Sequence, residues 1–310
     1  MAASRPLHRK KRAAQFLNER RQKGKQGMSH VFDALKQAET ERSGKLLEVS
    51  ELGNFASQLL REEKRDHAWI DDVQVLNIAS TDENRMVTLT DMDGLGAQKF
   101  RLLRARLRHM REKAPLKRLV ITGGVPDDGK TLVSSNLAAS LAHRNSQRVL
   151  LLEGDLRRPA TAAQFGLHGL RGLNEWSQEE TPIGEFIYRL GTSQLFLLPA
   201  GAPAEDPLKV LNSSRFASTL DRISAFFDWI IIDTPPLFPV ADVHSWVSYS
   251  DGVLLVVRQG HTPKKLLQKG LKNLDGMNLL GIILNDSPVA ERSYYREYYS
   301  RSRNGSSSKT

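Results

Sequence analysis

The chain has 310 residues, a formal net charge of +10 at pH 7 and no cysteine. This length suits one α/β domain with appended segments as well as it suits two domains. The lack of cysteine excludes a disulfide scaffold, a thiolate metal site and a cysteine nucleophile, and we expect a reducing, cytoplasmic setting. The sequence contains no run of 18 apolar residues, so we predict no membrane-spanning helix.

The first 27 residues form a basic arm, in which Glu19 is the only acidic residue. We predict that residues 1–27 are disordered, and that they either contact anionic lipid headgroups or nucleic acid or remain a solvated tail. Phe16 is the only aromatic residue of the arm, and no nucleic-acid-binding motif follows it. We therefore expect no nucleic-acid partner.

Residues 28–90 are predicted to contain an N-terminal helix and a weakly ordered linker. Ser29 is a suitable N-cap for a helix that carries Val31 and Leu35 on one face. From residue 44 to residue 82 the pattern is weak and charged. Residues 86–90 predict an edge strand, and the Asp and Gly residues over 91–96 predict a turn.

A helix is predicted over about residues 97–112, with an apolar stripe on one side and a row of arginines on the other. The arginines of this row are Arg101, Arg104, Arg108 and Arg111. Such a row is either solvated surface or a set of contacts to acidic groups or phosphates of a neighbouring subunit.

The eight residues from Gly124 to Thr131 match the phosphate-loop pattern of Gly, four residues, Gly, Lys and Ser or Thr. A buried strand is predicted over 119–122 and a helix over 131–143, so the loop leads into a helix N-terminus, as phosphate binding requires. Backbone N–H groups and the charge of Lys130 would hold phosphates, and the Thr131 hydroxyl would bind Mg²⁺. The predicted nucleotide-binding residues here are Gly124, Val125, Pro126, Asp127, Asp128, Gly129, Lys130, Thr131 and Leu132.

The rest of the chain alternates predicted strands and helices. Strands are predicted over residues 148–153, 195–199, 229–233, 252–257 and 280–284, and helices over 208–227 and 262–274. Several of these strands are continuously apolar, which is typical of strands buried on both faces. The sequence therefore predicts an α/β fold with a mainly parallel sheet and helices on both faces.

Two of the predicted strands end in carboxylates, at the edge where a parallel sheet binds its ligands. Glu153 ends the strand over 148–153 and Asp155 follows it, and Asp233 ends an apolar strand just before Pro235. The position of Asp233 is typical of an acid that holds Mg²⁺ directly or through water. Asp242 is a further candidate, although a strand-end aspartate often only caps the next helix.

Phosphoryl transfer requires positioning and charge neutralisation more than covalent help from the protein. We therefore predict Lys130, Glu153, Asp155 and Asp233 as catalytic residues. Thr131, Asp155 and Asp233 are the predicted Mg²⁺ ligands. Either Asp155 or Glu153 could accept the proton of an acceptor hydroxyl.

From about residue 91 to residue 299 the chain resembles the bacterial tyrosine kinases (BY-kinases) of exopolysaccharide and capsule assembly, in particular the autokinases encoded with exosortase systems. The phosphate loop corresponds to the Walker A motif of that family, residues 153–157 to Walker A′ and residues 230–236 to Walker B. The resemblance implies a P-loop NTPase architecture over residues 91–290. It also implies that Asn285, at the end of the last core strand, faces adenine.

The resemblance implies an enzyme that uses ATP and Mg²⁺ to phosphorylate tyrosines in its own C-terminal tail, usually on a neighbouring subunit of a ring. Residues 291–310 form that tail and hold four of the six tyrosines of the chain, namely Tyr294, Tyr295, Tyr298 and Tyr299. Phosphate on these residues would reverse the charge of an otherwise basic segment. Alternatively, the cluster is an amphipathic helical end that packs on the body of the protein.

The implied partners are a membrane polysaccharide co-polymerase that acts as activator, further copies of the chain and a cognate tyrosine phosphatase. The activator would hold the protein at the inner face of the membrane. The sequence departs from the family at three places. Glu153 stands where Asp is usual, Asp127 where a loop glycine is common, and Gln98 replaces the Glu that precedes Arg101 and Arg104 in the oligomer-contact motif.

Two other functions remain open. A nucleotide-switch ATPase of the partition and cell-division type would carry a signature lysine where this chain has Val125, and it would lack a tyrosine-rich end. A catalytically weak nucleotide-binding scaffold of a polysaccharide assembly complex would agree with the departures at Glu153 and Gln98.

Overall fold

The computed structural model describes residues 69–78, 85–143, 147–238, 242–274 and 278–287, which are organised around an eight-stranded sheet. The predicted basic arm, the predicted helix at Ser29 and the tyrosine-rich tail lie outside these residues. The strands are β1 (Val75–Leu76), β2 (Arg118–Gly123), β3 (Val149–Glu153), β4 (Tyr188–Leu190), β5 (Leu195–Leu198), β6 (Trp229–Asp233), β7 (Gly252–Arg258) and β8 (Leu279–Asn285).

The strands lie in the order β1-β4-β5-β3-β6-β2-β7-β8. Neighbouring strands are parallel except β4 and β5, which are antiparallel. The central strands β3, β5 and β6 are buried along their whole length. This explains their continuously apolar sequences and confirms the predicted mainly parallel sheet.

The helices around the sheet are α1 (Val87–Thr90), α2 (Leu95–Lys113), α3 (Lys130–Ala142), α4 (Leu173–Gln178), α5 (Pro207–Leu211), α6 (Ser214–Ser224), α7 (Asp242–Ser248) and α8 (Lys264–Asn273), and residues 69–71 are also helical. Two short 3₁₀ helices cover Ala163–Phe165 and Ile183–Phe186. None of the described helices has the length and apolar character needed to cross a bilayer.

Alternate residues of the central strands point to opposite faces of the sheet. Leu150 of β3 and Ile230 of β6 pack in one apolar cluster with α4 to α8, whereas Leu151 and Ile231 pack in a second cluster with α2 and α3. Helices therefore cover both faces, as predicted. The C-terminal ends of β2, β3 and β6 meet at one edge, where Glu153 pairs in register with Asp233.

The predicted edge strand over residues 86–90 is wrong, because this segment forms helix α1. The N–H and hydroxyl of Thr88 both donate to Oδ1 of Asn136 in α3, at 3.1 and 3.0 Å. Asn136 also donates to the carbonyl of Arg85 at 3.1 Å. These tertiary hydrogen bonds outweigh the strand preference of Val and Thr.

Three further elements differ from the predictions. The helix predicted over 208–227 is two helices, since Ser213 leaves the helical conformation and accepts a hydrogen bond from the N–H of Phe216 at 3.1 Å as the N-cap of α6. The short strands β1 and β4 were not predicted. β1 lies within the segment predicted as a weakly ordered linker, and it pairs with β4 at one side of the sheet.

Candidate nucleotide-binding site

The phosphate loop lies between β2 and α3, as the sequence predicts. Lys130 is the first residue of α3, and it is only 8% exposed. Gly129 has a φ angle of +91°, and a Cβ atom there would lie 2.1 Å from Nδ2 of Asn285. Glycine is therefore required at this position by both conformation and space.

Thr262 and Asn285, which lie far along the chain from the phosphate loop, form hydrogen bonds to it. Asp128 is fully buried, and its carboxylate accepts hydrogen bonds from the N–H of Val125 at 3.0 Å and from the hydroxyl of Thr262 at 2.6 Å. Asn285 donates to the carbonyl of Asp128 at 2.9 Å. Asn285 thus contacts the loop itself, while its contact with adenine stays a prediction.

Replacing Asp128 with alanine should weaken ADP binding by about tenfold, because the loop loses two hydrogen bonds that fix its shape. The matched control is Asp127→Gly, which removes the same charge from the neighbouring exposed residue, whose φ angle is +62°. Glycine accepts that angle, so this variant should bind ADP at least as well as the wild type. Isothermal titration calorimetry compares the two, and equal losses would contradict the bracing role of Asp128.

Asp233 is buried at the end of β6, and its two carboxylate oxygens differ in their surroundings. Its Oδ2 accepts a hydrogen bond from the hydroxyl of Thr161 at 2.8 Å, whereas Oδ1 has no hydrogen-bond partner among the described residues. Burial raises the pKa of Asp233 to about 6, although the hydroxyls of Thr131 and Thr161 and the charge of Lys130 act in the opposite direction. A bound cation would satisfy Oδ1 and favour the ionised carboxylate.

These residues fit a Mg²⁺ ion shared with a nucleotide. In proteins Mg²⁺ is commonly held by one or two carboxylates together with substrate phosphates and waters. No group of three or more His, Asp or Glu side chains in the described part of the chain could hold a metal by itself. Asp233 and Thr131, with phosphate oxygens, are the best supported ligands.

Glu153 is placed differently from the expectation for a metal ligand or a base. It is 1% exposed, and both of its oxygens accept hydrogen bonds from backbone N–H groups. Oε1 accepts from Thr161, and Oε2 accepts from Ala200 at 3.0 Å. The predicted catalytic role of Glu153 stays a prediction, and the geometry favours a structural role.

Asp155 lies half-buried beyond the end of β3. Its Oδ1 accepts a hydrogen bond from the N–H of Arg158 at 3.0 Å. Burial raises the pKa of Asp155, while backbone N–H groups and the charge of Lys130 lower it. Asp242, the further candidate, is paired with Arg157, whose Nε lies 2.8 Å from its Oδ2. Asp155 is therefore the better supported proton acceptor, and Asp242 anchors α7 to the loop after β3.

The predicted oligomer-contact residues make contacts within their own chain. Gln98 donates to the carbonyl of Asp93 at 3.0 Å, Arg101 to the carbonyl of Met92, and Arg104 to the carbonyl of Ser140 at 2.5 Å. Further along α2, Arg108 donates to Gln147, and Arg111 lies over the ring of Trp229. Each arginine of the row thus has a partner within its own chain, while Arg108 is also exposed to solvent. Contact with another copy stays a prediction.

Sequence reasoning missed Thr161 and Thr262. Both form hydrogen bonds to predicted site residues from other segments of the chain. Thr161 donates to Asp233 and Glu153, and Thr262 donates to Asp128. A single threonine outside a recognised motif carries no signal in the sequence. Only the folded arrangement identifies these two residues.

The phosphate loop and the strand-end carboxylates define a nucleotide-binding protein of the P-loop class. A family model described as an AAA domain matches residues 121–277. The tyrosine-protein kinase CpsD of Streptococcus agalactiae is 31% identical over 192 residues, which cover 60% of this chain and 83% of CpsD. The chain therefore belongs to the bacterial tyrosine-protein kinase family.

Two further proteins extend the comparison. The succinoglycan biosynthesis transport protein ExoP of Rhizobium meliloti is 30% identical over 190 residues, which cover 58% of this chain and 23% of ExoP. The crystal structure of the chimerical protein CapA2B2 matches with a TM-score of 0.63 and 25% sequence identity, over 70% of this chain and 96% of that chain.

Proposed function

We propose that this protein is an ATP-dependent tyrosine autokinase that phosphorylates the C-terminal tyrosines of a neighbouring copy and thereby regulates exopolysaccharide polymerisation or export. The observation that carries the proposal is the buried Oδ1 of Asp233, which has no hydrogen-bond partner among the described residues, in a carboxylate that Lys130 and Thr131 of α3 also stabilise. This arrangement supports a magnesium nucleotide with its phosphates at the N-terminus of α3.

In the proposed reaction the phenol oxygen of a tail tyrosine attacks the γ-phosphorus of ATP, the bond to the β,γ-bridging oxygen breaks, and ADP leaves. Asp155 accepts the phenolic proton. Lys130 stabilises charge on the phosphate oxygens. Mg²⁺, held by Thr131 and Asp233, would neutralise further phosphate charge when bound. Asp155 is preferred over Glu153 as the base because Glu153 uses both oxygens on backbone N–H groups.

The tail is the preferred acceptor because the other two tyrosines are engaged within the fold. The hydroxyl of Tyr188 donates to the carbonyl of Arg171 at 3.2 Å, and that of Tyr249 donates to the carbonyl of Leu211 at 2.5 Å. Burial also raises the pKa of both phenols. Both hydroxyls therefore already have acceptors within their own fold, which favours the tail tyrosines as the phosphate acceptors.

The test is phosphate incorporation by the purified full chain with ATP and Mg²⁺, with and without the cytoplasmic segment of a membrane co-polymerase. Mass spectrometry should find phosphate within residues 294–299. A variant with the four tail tyrosines replaced by Phe should lose nearly all incorporation, whereas Tyr188→Phe and Tyr249→Phe should retain it. Tail tyrosines without phosphate under all conditions would favour the nucleotide-binding scaffold.

The partners and location in this proposal are a membrane co-polymerase as activator, further copies of the chain in a ring, and a tyrosine phosphatase that resets the tail. The protein would work at the inner face of the membrane through the activator. The name of ExoP, a biosynthesis transport protein for a polysaccharide, supports this setting. Comparison of tail phosphorylation in cells with and without the co-polymerase gene tests it.

A further inference from the structure

Thr161 lies between the two carboxylates at the ends of β3 and β6. Its side chain is fully buried. Its backbone N–H donates to Oε1 of Glu153, and its hydroxyl donates to Oδ2 of Asp233 at 2.8 Å. A hydroxyl has one proton to donate, so this hydrogen bond occupies Oδ2 of Asp233, and Oδ1 is left without a hydrogen-bond partner in the part of the chain that the structure describes.

The backbone around Thr161 is held from several sides. Glu153 binds the N–H of Thr161 with one oxygen and the N–H of Ala200 with the other. The 3₁₀ helix that follows buries Phe165 in the core. The ends of β3 and β6 are joined by a hydrogen bond of 2.6 Å from the N–H of Gly154 to the carbonyl of Asp233. The hydroxyl of Thr161 is thus presented to Asp233 from a fixed position.

We propose that Thr161 is a positioning residue of the magnesium nucleotide site, and that Glu153 acts through Thr161 as its anchor rather than as a metal ligand. The hydroxyl of Thr161 fixes the rotation of the Asp233 carboxylate, so that Oδ1 is available to a cation. Because the cation belongs to the function proposed above, this inference rests on that function. Partners of metal ligands of this kind typically change metal affinity by 10- to 100-fold.

The experiment measures ADP affinity of the full chain in the presence of Mg²⁺ and in EDTA, and the ratio of the two affinities is the Mg²⁺-dependent gain. In Thr161→Val the contacts of the phosphate loop remain, so affinity in EDTA should stay within about twofold of the wild type. The Mg²⁺-dependent gain should fall by roughly 10- to 100-fold. Thr161→Ser keeps the hydroxyl and should restore the gain to within about threefold.

The matched control is Thr122→Val. Thr122 is also fully buried near the site, but its hydroxyl donates to the carbonyl of Pro235 at 2.9 Å. This variant should lose stability like Thr161→Val and keep the wild-type Mg²⁺-dependent gain. If valine at position 161 prevents folding, Thr161→Ala provides the same comparison. With Mn²⁺ in place of Mg²⁺, electron paramagnetic resonance of the ADP complex gives a readout that does not depend on activity.

Glu153→Gln separates the two roles of Glu153. Glutamine keeps one acceptor oxygen and presents an NH₂ group to the other backbone N–H, that of Thr161 or that of Ala200. In either orientation one of the two hydrogen bonds that anchor Thr161 is lost, so the Mg²⁺-dependent gain should fall as in Thr161→Val. The double variant should lose no more than either single variant, since both act through one contact.

Two outcomes would overturn the inference. A loss in Glu153→Gln together with a normal gain in Thr161→Val would make Glu153 a metal ligand in its own right. Equal losses with Mg²⁺ and with EDTA in Thr161→Val would make Thr161 a purely structural residue. A wild-type protein that gains no ADP affinity from Mg²⁺ would instead remove the proposed function and this inference together.

Discussion

Lys130→Met is expected to lower phosphate transfer to the tail by at least about 100-fold, because the variant loses the charge that would stabilise the phosphate oxygens in the transition state. Lys130 begins α3, and it is almost fully buried beside the loop. A Cβ atom at Gly123 would approach Cγ of Lys130 to 3.0 Å, so its side chain lies along the end of β2. The measurement is the rate of radioactive phosphate incorporation from labelled ATP.

The matched control for this result is Lys265→Met, which removes an exposed lysine of α8 and should leave the rate unchanged. A folded Lys130→Met protein that incorporates phosphate at the wild-type rate would contradict the proposed site and indicate a contaminating kinase. Thermal unfolding of both variants verifies that a lost activity is not a lost fold.

Asp233→Asn is expected to have opposite effects on stability and on function. In the nucleotide-free protein at pH 8, the free energy of unfolding should increase by about 1–3 kcal/mol, since a buried carboxylate no longer has to remain ionised. The hydroxyl of Thr161 can still donate to the amide oxygen. The Mg²⁺-dependent gain in ADP affinity and phosphate transfer should both be lost, because a neutral amide is a poor ligand for Mg²⁺.

The stability difference should depend on pH in a defined direction. The folded protein raises the pKa of Asp233 from 3.8 to about 6, so it holds that proton more tightly than the unfolded chain does. The contribution of Asp233 to wild-type stability is therefore fully present below pH 3.8 and is lost as the pH rises through about 6. Urea unfolding at several pH values should show the advantage of Asp233→Asn growing between about pH 4 and pH 6 and constant above.

Asp242→Asn is the matched control for this pH dependence. Asp242 is also a buried aspartate near the site, but it is paired with Arg157. Its replacement should destabilise the protein at pH 8, because it breaks that ion pair. An Asp233→Asn variant that is destabilised to the same extent would show that the Asp233 carboxylate is stabilising and would contradict its raised pKa.

The sequence was sufficient to predict the parts of the fold and site that depend on local patterns. The phosphate loop has a strict spacing, and strands such as β3 and β6 are apolar because both of their faces are buried. Asp233 could be predicted because it ends such a strand at the ligand-binding edge of the sheet.

The remaining features depend on contacts between segments far apart in the chain. Residues 86–90 have the composition of a strand, yet residues 87–90 form helix α1, in which Thr88 donates a hydrogen bond to Asn136 of α3. Thr161 is important only because β3 and β6 place two carboxylates beside it. Glu153 was predicted as a catalytic residue. Its hydrogen bonds to distant backbone N–H groups, which favour a structural role, have no signature in the sequence.

The hydrogen bond from Asn285 to the carbonyl of Asp128 affects when the phosphate loop can take its final shape during protein synthesis. The two residues are 157 positions apart, and Asn285 lies in the last described strand. While the chain emerges from the ribosome, the segment around Gly129 exists long before the partner that fixes its shape. We therefore expect a nascent chain halted before β8 to capture nucleotide poorly, so that ATP cannot assist its folding until translation is nearly complete.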